Sequence, residues 1–218
     1  MKEPDTDNRN LKEEILEVTR RMFLQYGYNG TTFQKIADEL HIAKGSITYH
    51  FKNKFMIMEI FIDDLFLQIK KFIDSFPEEQ QNLYWRRCVI YTYAYEKIMS
   101  TPRNMELFYH KDQQKRWQDH KLSIVAGIYE DIEKDFHKSY DISDLQMKAR
   151  IDMSARSKLF QTYQENPRIM TLREFCYYHI YLIGILCKLD EQTIQENIQS
   201  AFDFVDRHPL KISSSIFE

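Results

Sequence analysis

Residues 32–51, TFQKIADELHIAKGSITYHF, decide the fold of this chain. Apolar residues recur at helical spacing on both sides of a short gap in this stretch, at Ile36, Ala37, Leu40, Ile42 and Ile47. The pattern predicts one short helix capped by Thr31 or Thr32, a turn of a few residues, and a second helix over about 43–50. The five apolar side chains should lock the two helices together.

The side chains that this packing leaves outside are polar or aromatic. They are Lys44, Ser46, Thr48, Tyr49 and His50. A helix pair of this kind binds DNA by laying its second helix in the major groove, with the first residues of that helix at base edges. The outward set therefore indicates a DNA-binding helix-turn-helix, and a three-helix bundle that does not contact DNA is the alternative.

The same stretch resembles the signature of the TetR family of bacterial regulators. The resemblance is carried by Ile36-Ala37, Ile42, Lys44-Gly45-Ser46-Ile47 and Tyr49-His50-Phe51-Lys52-Asn53-Lys54. It covers about a quarter of the chain, and beyond it only the helical architecture and the length are similar. The resemblance implies an all-α fold, with an N-terminal three-helix helix-turn-helix domain and a C-terminal helical ligand-binding and dimerisation domain.

The resemblance also implies two sets of DNA contacts. The positions that approach base edges are Gln34, Lys44, Gly45, Ser46 and Thr48. The positions that bind phosphates are Thr32, Tyr49, His50 and Lys54. The chemistry agrees, because hydroxyl, imidazole and ammonium groups are common phosphate ligands and Lys and Gln pair with guanine and adenine.

Two positions depart from the family pattern. Family members commonly have Gly in the turn where this chain has His41, a position that tends toward positive φ. They also often begin the second helix with Ser or Thr, and here the residue is Ala43. The missing cap costs about 1 kcal/mol. Neither departure threatens the predicted fold, but both affect local geometry and base preference.

Charge is distributed unevenly along the chain. The net charge is −3, yet the first 54 residues hold nine Lys and Arg against eight Asp and Glu. Between Lys35 and Lys54 four lysines stand against Asp38 and Glu39 only. A small basic face on an acidic chain favours the approach of DNA to one surface.

Targeting signals are missing from the sequence pattern. Residues 1–10 are polar, and the longest near-apolar segment, Tyr177 to Cys187, is too short to span a bilayer. Three cysteines without metal-site spacing are typical of reduced, packed thiols. We expect a cytoplasmic protein without membrane contact.

Only five Gly and five Pro predict long helices throughout the chain. Further helices are predicted over about 10–26, 54–73, 79–100, 116–140, 143–165, 171–189 and 191–208, with a short one starting at Thr101-Pro102. Pro77 marks a break after the connecting helix. The predicted domains are 1–54 for DNA binding, with the helix at about 54–73 connecting, and 74–218 for ligand binding and dimerisation. The tail after Pro209 is expected to be frayed.

The second domain is rich in aromatic residues. The candidate ligand-binding residues are Tyr91, Tyr95, Met99, Phe108, Trp117, Tyr129, Phe160 and Tyr178. Core packing is the competing explanation for each of them, but so many hydroxyls need partners when buried. A cavity that they line would suit a small hydrophobic or aromatic inducer, with Glu96 and Arg150 or Arg156 as candidate polar anchors.

The last two helices are predicted to form the dimer. The penultimate helix is apolar nearly all round, and the final one carries a stripe made of Ile194, Ile198, Ala201, Phe202 and Val205. Together they resemble half of an intersubunit four-helix bundle, and an intrachain core is the alternative. A homodimer of this kind would bind a near-palindromic operator in double-stranded DNA.

No enzyme, metal site or cofactor is predicted. Cys176 and His179 lie one turn apart, and Glu106 and His110 are spaced i, i+4, but neither pair has an evident third ligand. Nucleophile elbows, phosphate loops and HExxH motifs are missing. The favoured function is a repressor released from its operator by a small ligand. The alternatives are a nucleoid-associated or architectural DNA-binding protein of the same fold, and a helical enzyme or carrier.

Overall fold

The computed structural model describes the backbone of residues 4–108, 111–212 and 216–217, and the side chains of residues 10–108, 121–212 and 216–217. The regular secondary structure of the described residues is helical throughout, with no strand among them, which confirms the all-α fold. The α-helices are α1 (Pro4–Gly30), α2 (Phe33–Leu40), α3 (Lys44–His50), α4 (Lys54–Asp74), α5 (Leu83–Ile98), α6 (Pro102–Phe108), α7 (Lys111–Asp135), α8 (Ile142–Glu165), α9 (Leu172–Leu186) and α10 (Glu191–Arg207).

Local signals fix most helix ends. Gly27 adopts φ 70° and breaks α1 where the sequence predicts its end, although one more turn follows to Gly30. The Asn53 side chain caps α4, and Thr171 and Glu174 form a reciprocal capping box at the start of α9. The predicted start of the fifth helix at residue 79 is wrong, because Asn82 Oδ1 accepts a hydrogen bond from the Trp85 backbone and α5 begins after that cap.

Two hydrophobic clusters organise the molecule. The smaller one holds α1, α2, α3 and the first turn of α4 together through Ile15, Val18, Met22, Ile36, Ala37, Ile47, Phe51 and Ile57. The larger one joins α4 to α5, α7, α8, α9 and α10. The two clusters adjoin at the end of α1, where Phe23 and Tyr28 belong to the larger one. Helix α4 therefore contributes to both cores.

The end of the chain differs from the prediction of a frayed tail. Ile216 and Phe217 are buried in the larger cluster. The Tyr93 hydroxyl donates a hydrogen bond to the His208 carbonyl at 2.5 Å, which holds the chain against α5 as it leaves α10. Apolar residues close to a terminus are thus part of the core here.

Helix α10 buries its apolar stripe within its own chain. The helix packs against α5, where the Phe204 ring lies 5.3 Å from that of Trp85. Phe202 is buried beneath the Arg173 guanidinium, whose centre is 3.9 Å from the ring. The intrachain alternative is therefore the observed one for α10, and its stripe is not available to a second subunit.

Two further observations concern chemistry and membranes. Cys88, Cys176 and Cys187 are all free and buried. Among the helices of the described residues, none has both the length and the apolar character that crossing a membrane requires.

Candidate nucleic-acid interface

The turn between α2 and α3 is held by backbone hydrogen bonds. The His41 backbone is left-handed, with φ 54° and ψ 39°, as predicted for this position. This conformation lets the Ile42 amide donate to the Ala37 carbonyl at 3.0 Å, and the His41 amide to the Asp38 carbonyl at 3.3 Å. At the other end of α2, Thr32 Oγ1 accepts from the Lys35 amide at 3.2 Å.

Packing rather than capping orients α3. Ala43 occupies the cap position without any side-chain hydrogen bond, as the sequence predicts. The buried residues Ile47 and Phe51 instead anchor α3 against α1, where Ile15 and Val18 belong to the same cluster. One face of α3 is fixed in this way, and the opposite face is presented to solvent.

The solvent face of α3 carries the predicted contact residues. Tyr49 is 77% exposed, and its ring meets the half-buried His50 ring edge-on at 5.3 Å. Lys44 and Thr48 are exposed, and Ser46 is half-buried. A tyrosine with most of its apolar ring in water is typical of a surface that binds a partner.

Two further predicted residues leave room for a close approach. A Cβ placed on Gly45 would have no protein atom within 4 Å, so the backbone there is open to a partner. Gln34 is exposed on α2, but its amide donates to Asp38 Oδ1 at 2.8 Å. Gln34 must exchange this local hydrogen bond for any contact with adenine.

Lys54 is engaged by the protein itself at the start of α4. Its ammonium group donates to the Tyr28 carbonyl and, at 2.6 Å, to the Thr31 carbonyl, and it lies 4.0 Å from the centre of the Tyr28 ring. Burial lowers the pKa of Lys54. The side chain therefore joins the start of α4 to the chain that follows α1, and its contact with a DNA phosphate stays a prediction.

We expect Lys54→Met to destabilise the protein by about 1–3 kcal/mol, because two carbonyls that pack away from water lose their donor. The salt dependence of DNA binding should stay unchanged. Urea unfolding and DNA titrations at several salt concentrations measure the two quantities. Lys52→Met is the matched comparison for stability, since Lys52 is exposed and two residues away, and it should leave the free energy of unfolding unchanged. A salt slope flattened by about 0.9 in Lys54→Met, with stability intact, would contradict the structural role and support the phosphate contact of Lys54.

Lys52 is the candidate phosphate ligand that sequence reasoning missed. It is exposed in the short link between α3 and α4, beside the end of the α3 solvent face. The signal was present in the run Lys52-Asn53-Lys54, but the sequence does not tell which lysine turns inward.

In the larger hydrophobic cluster the structure brings most of the predicted ligand residues into one core. Tyr91, Tyr95, Met99, Tyr129 and Phe160 are buried, and Phe108 is half-buried. The Tyr91 and Tyr95 rings stack with 5.8 Å between their centres. Tyr178 is 51% exposed on the outer side of α9, so the structure does not bring it together with the other predicted ligand residues. The Trp117 side chain lies outside the described residues.

The predicted polar anchors separate into different environments. Arg150 is exposed on α8 and does not face the aromatic core. Glu96 is half-buried at the other side of α5, and burial raises its pKa. Arg156 is half-buried and interacts with Tyr91, Tyr95 and Asp152. Burial alone would lower the pKa of Arg156, but Tyr95 and Asp152 raise it above its usual value.

A buried polar cluster accompanies Arg156. His179 Nε2 lies 2.6 Å from Asp152 Oδ1, and His179 Nδ1 lies 2.9 Å from the Tyr95 hydroxyl. Burial lowers the pKa of His179, so a neutral ring donates to Asp152 and accepts from Tyr95. Burial disfavours the charged form of Asp152, yet His179 and Arg156 keep its pKa below the usual value.

This cluster gives His179, which lies one turn from Cys176, a structural role in place of metal binding. Both ring nitrogens of His179 are engaged, so they are not free for a metal ion. Among the described side chains, no group of three or more His, Cys, Asp or Glu could hold a metal. His110 of the other pair lies outside the described residues. Sequence reasoning missed Asp152, which stands one turn before Arg156 on the inner face of α8.

Comparison with known proteins gives a family match for the first domain. Residues 15–59 match the family model described as bacterial regulatory proteins of the tetR family. The matched segment contains the second half of α1, all of α2 and α3, and the first turn of α4. It includes each of the predicted DNA-binding positions.

Three curated proteins illustrate the extent of the similarity. The HTH-type transcriptional regulator QacR of Staphylococcus aureus is 33% identical over 84 residues, which cover 38% of this chain and 43% of that protein. The HTH-type transcriptional repressor KstR2 of Mycolicibacterium smegmatis is 28% identical over 53% of this chain and 57% of its own. An uncharacterized HTH-type transcriptional regulator of Haemophilus influenzae is 27% identical over 78% of this chain and 93% of its own. The chain spans about half the length of the first curated relatives that it matches.

A solved structure is similar at a low level. The crystal structure of Mycobacterium smegmatis AmtR has 14% identical residues and a TM-score of 0.44, over 91% of this chain and 96% of that one. A likeness of this degree adds nothing to the functional argument.

Proposed function

We propose that this chain is a member of the TetR family, whose model residues 15–59 match, and that it is a DNA-binding transcriptional regulator, a repressor that a small ligand releases from its operator. The observation that carries the proposal is the solvent face of α3. Tyr49, Lys44 and Thr48 are exposed there while Ile47 and Phe51 hold the helix from behind. An exposed polar and aromatic helix face, fixed on a rigid three-helix unit, fits the major groove.

A footprint on the DNA that flanks the protein's own gene tests this function. A regulator should protect a discrete, near-palindromic site beside a gene start, and the protected site should survive an excess of unrelated DNA. Protection spread evenly over the fragment would favour an architectural DNA-binding protein. No protection at any salt concentration would contradict both.

Lys44→Ala and Tyr49→Ala should each weaken operator binding about 10- to 100-fold, because a good base or phosphate contact contributes about 1–3 kcal/mol. Neither variant should change the free energy of unfolding by more than about 0.5 kcal/mol, since both side chains are exposed. Fluorescence anisotropy with a labelled operator and urea unfolding measure the two effects. Lys71→Ala, an exposed lysine in the far half of α4, is the control. Unchanged affinity in both variants would remove the DNA-binding assignment.

The regulator acts as a homodimer through α8 and α9. Exposed apolar side chains form a stripe on the outer side of each helix: Met147 and Ile151 on α8, and Tyr178 and Ile185 on α9. The two helices pack side by side, with Asp152 against His179, so the stripes adjoin and form one apolar face. A face of this kind fits a second copy of the same face, which gives a four-helix bundle. The exposed residues of α10 are polar, including Gln192, Glu196, Gln199 and Asp203.

The dimer face sets the distance between the two DNA-binding units. Two α3 helices must lie about 34–36 Å apart, or a multiple of this, to enter successive major grooves on one side of the duplex. A ligand in the second domain lowers DNA affinity when it favours a dimer in which this spacing is wrong. A coupling of about 1–3 kcal/mol changes the affinity about 5- to 150-fold.

Two contacts transmit such a change to the helix-turn-helix. Helix α4 belongs to both cores, and α6 packs against the end of α1. Arg103 of α6 donates to the Leu24 carbonyl, and the Asn29 amide donates to Glu106 Oε1 at 3.4 Å. Movement of α6 or α4 therefore tilts the unit that carries α3.

A further inference from the structure

A surface groove lies where α4, α5 and α7 meet. Its volume is about 230 Å³, and its apolar wall is formed by Leu83 and Ile90 of α5 and by Ile128 and Ile132 of α7. Drug-sized ligands occupy about 300–1,000 Å³, so this groove suits a smaller molecule. Its position differs from that of the buried aromatic core, although Arg87 joins the two by lying over the Tyr91 ring at 5.7 Å.

The charged side chains of the groove are mainly cationic. Lys70 of α4 and Arg86 and Arg87 of α5 line it, and Asp131 of α7 is the acidic residue among them. Arg86 is engaged, because its guanidinium lies 2.7 Å from Asp74 Oδ1 and donates to Gln80 Oε1 at 2.9 Å.

Lys70 and Arg87 lack such partners. Within the part of the chain that the structure describes, neither has a carboxylate within ion-pairing distance. Burial lowers the pKa of Lys70, and the charges of Arg87 and Arg86 lower it further, while Asp63 and Asp74 act in the opposite direction. Two unpaired cations that face one apolar groove are relieved by a bound anion, which gains charge-assisted hydrogen bonds from both.

We propose that this groove binds a small monoanion with an apolar body, such as an aromatic or short aliphatic carboxylate. The carboxylate lies between Lys70 and Arg87, and the apolar body lies against Ile90, Ile128 and Ile132. Asp131 disfavours a second negative charge on the ligand, because like charges at the same groove repel each other.

If the groove is the regulatory site, its ligand class is that of the inducer. This regulatory role rests on the proposed function. Lys70 lies on α4, which continues into the helix-turn-helix core, whereas Arg87 lies on α5 in the middle of the second domain. An anion that draws Lys70 and Arg87 together couples α4 to α5. Binding itself is independent of DNA and is measured without it.

Three ligands of one shape and different charge test the site by calorimetric titration of the full chain. Benzoate is the anion, benzamide is its neutral analogue and benzamidine its cationic one. We expect saturable binding of benzoate and none of the other two. No binding of benzoate, or equal binding of benzamide, would overturn the proposal.

Variants locate the bound benzoate. Lys70→Gln and Arg87→Gln should each weaken binding about 10- to 100-fold, the loss of one hydrogen bond to a charged group. Lys71→Gln, the neighbouring exposed lysine on α4, should leave it unchanged. Arg87 packs on Tyr91, so circular dichroism must show that Arg87→Gln is folded. Lys70 is exposed, so Lys70→Gln tests the site without this concern. Benzoate binding that survives both substitutions would place the anion elsewhere and overturn the site.

A DNA titration with and without benzoate separates the two proposals. Weaker operator binding with benzoate, lost in Lys70→Gln, supports the groove as the regulatory site. Benzoate binding at the groove without any effect on operator affinity would leave the site in place and overturn its regulatory role. If the protein binds no DNA at all, the proposed function fails while the calorimetric result on the groove stands.

Discussion

Ile151→Glu should convert the dimer into a monomer and lower the affinity for the near-palindromic operator about 100- to 10,000-fold. Ile151 is 43% exposed in the centre of the outer side of α8, so a carboxylate there does not disturb the protomer core. In the dimer, however, two glutamates would face each other across a twofold axis in an apolar environment. The affinity loss follows because two linked half-sites gain about 10²–10⁴ over a single one. Light scattering and anisotropy measure the two effects.

The matched control is Ile142→Glu. Ile142 is more exposed than Ile151 and lies on the same helix, but nine residues earlier, which places it on the opposite side of α8. It should leave the dimer and its operator affinity intact. Phe202→Glu should unfold the protomer rather than split the dimer, because Phe202 is buried against the rest of its own chain. A dimer that persists in Ile151→Glu at micromolar concentration would contradict the α8 and α9 interface.

The helix-turn-helix could be predicted from the sequence because its signals are local. Helical periodicity selects Ile36, Ala37 and Ile47 as core residues, and all three are fully buried. The left-handed turn at His41 is what the resemblance implies, since family members commonly have Gly at this position. Caps such as Thr32 and Asn53 act within three residues. These features depend on residues that are close together in the sequence, so one sequence is enough to predict them.

The contacts that the sequence did not predict depend on distant parts of the chain. Lys54 turns inward because carbonyls 23 and 26 residues away need its ammonium group. Nothing in the run Lys52-Asn53-Lys54 shows those carbonyls. An apolar stripe shows that a helix face is covered, but not what covers it, so α10 packed on α5 has the same sequence pattern as α10 in a dimer. The same limit explains Tyr178, since α9 is apolar nearly all round and its outer side has no distinct signature.

The buried cluster on α8 was the hardest feature to predict and has the largest expected effect on stability. Asp152, Arg156 and His179 come from α8 and α9, and each residue alone is unremarkable in the sequence. In the structure, the Asp152 carboxylate accepts from the fully buried His179 ring and offsets the charge of the half-buried Arg156. Removing it leaves a buried donor without its acceptor and a nearby cation uncompensated, which is the costly way to break a buried polar pair.

Asp152→Ala should therefore lower the free energy of unfolding by about 3–5 kcal/mol, a large share of the roughly 5–15 kcal/mol that stabilises a protein of this kind. Urea unfolding followed by Trp85 fluorescence measures it, and Gln164→Ala, an exposed change on α8, should stay within about 0.5 kcal/mol of the parent. Adding Arg156→Met to Asp152→Ala should recover part of the loss, because the unpaired charge is then gone and an apolar side chain fills the space. If Asp152→Ala costs less than about 1 kcal/mol, or if Arg156→Met recovers nothing in a double-mutant cycle, then packing of the aromatic core, and not the polar cluster around Asp152, stabilises this part of the protein.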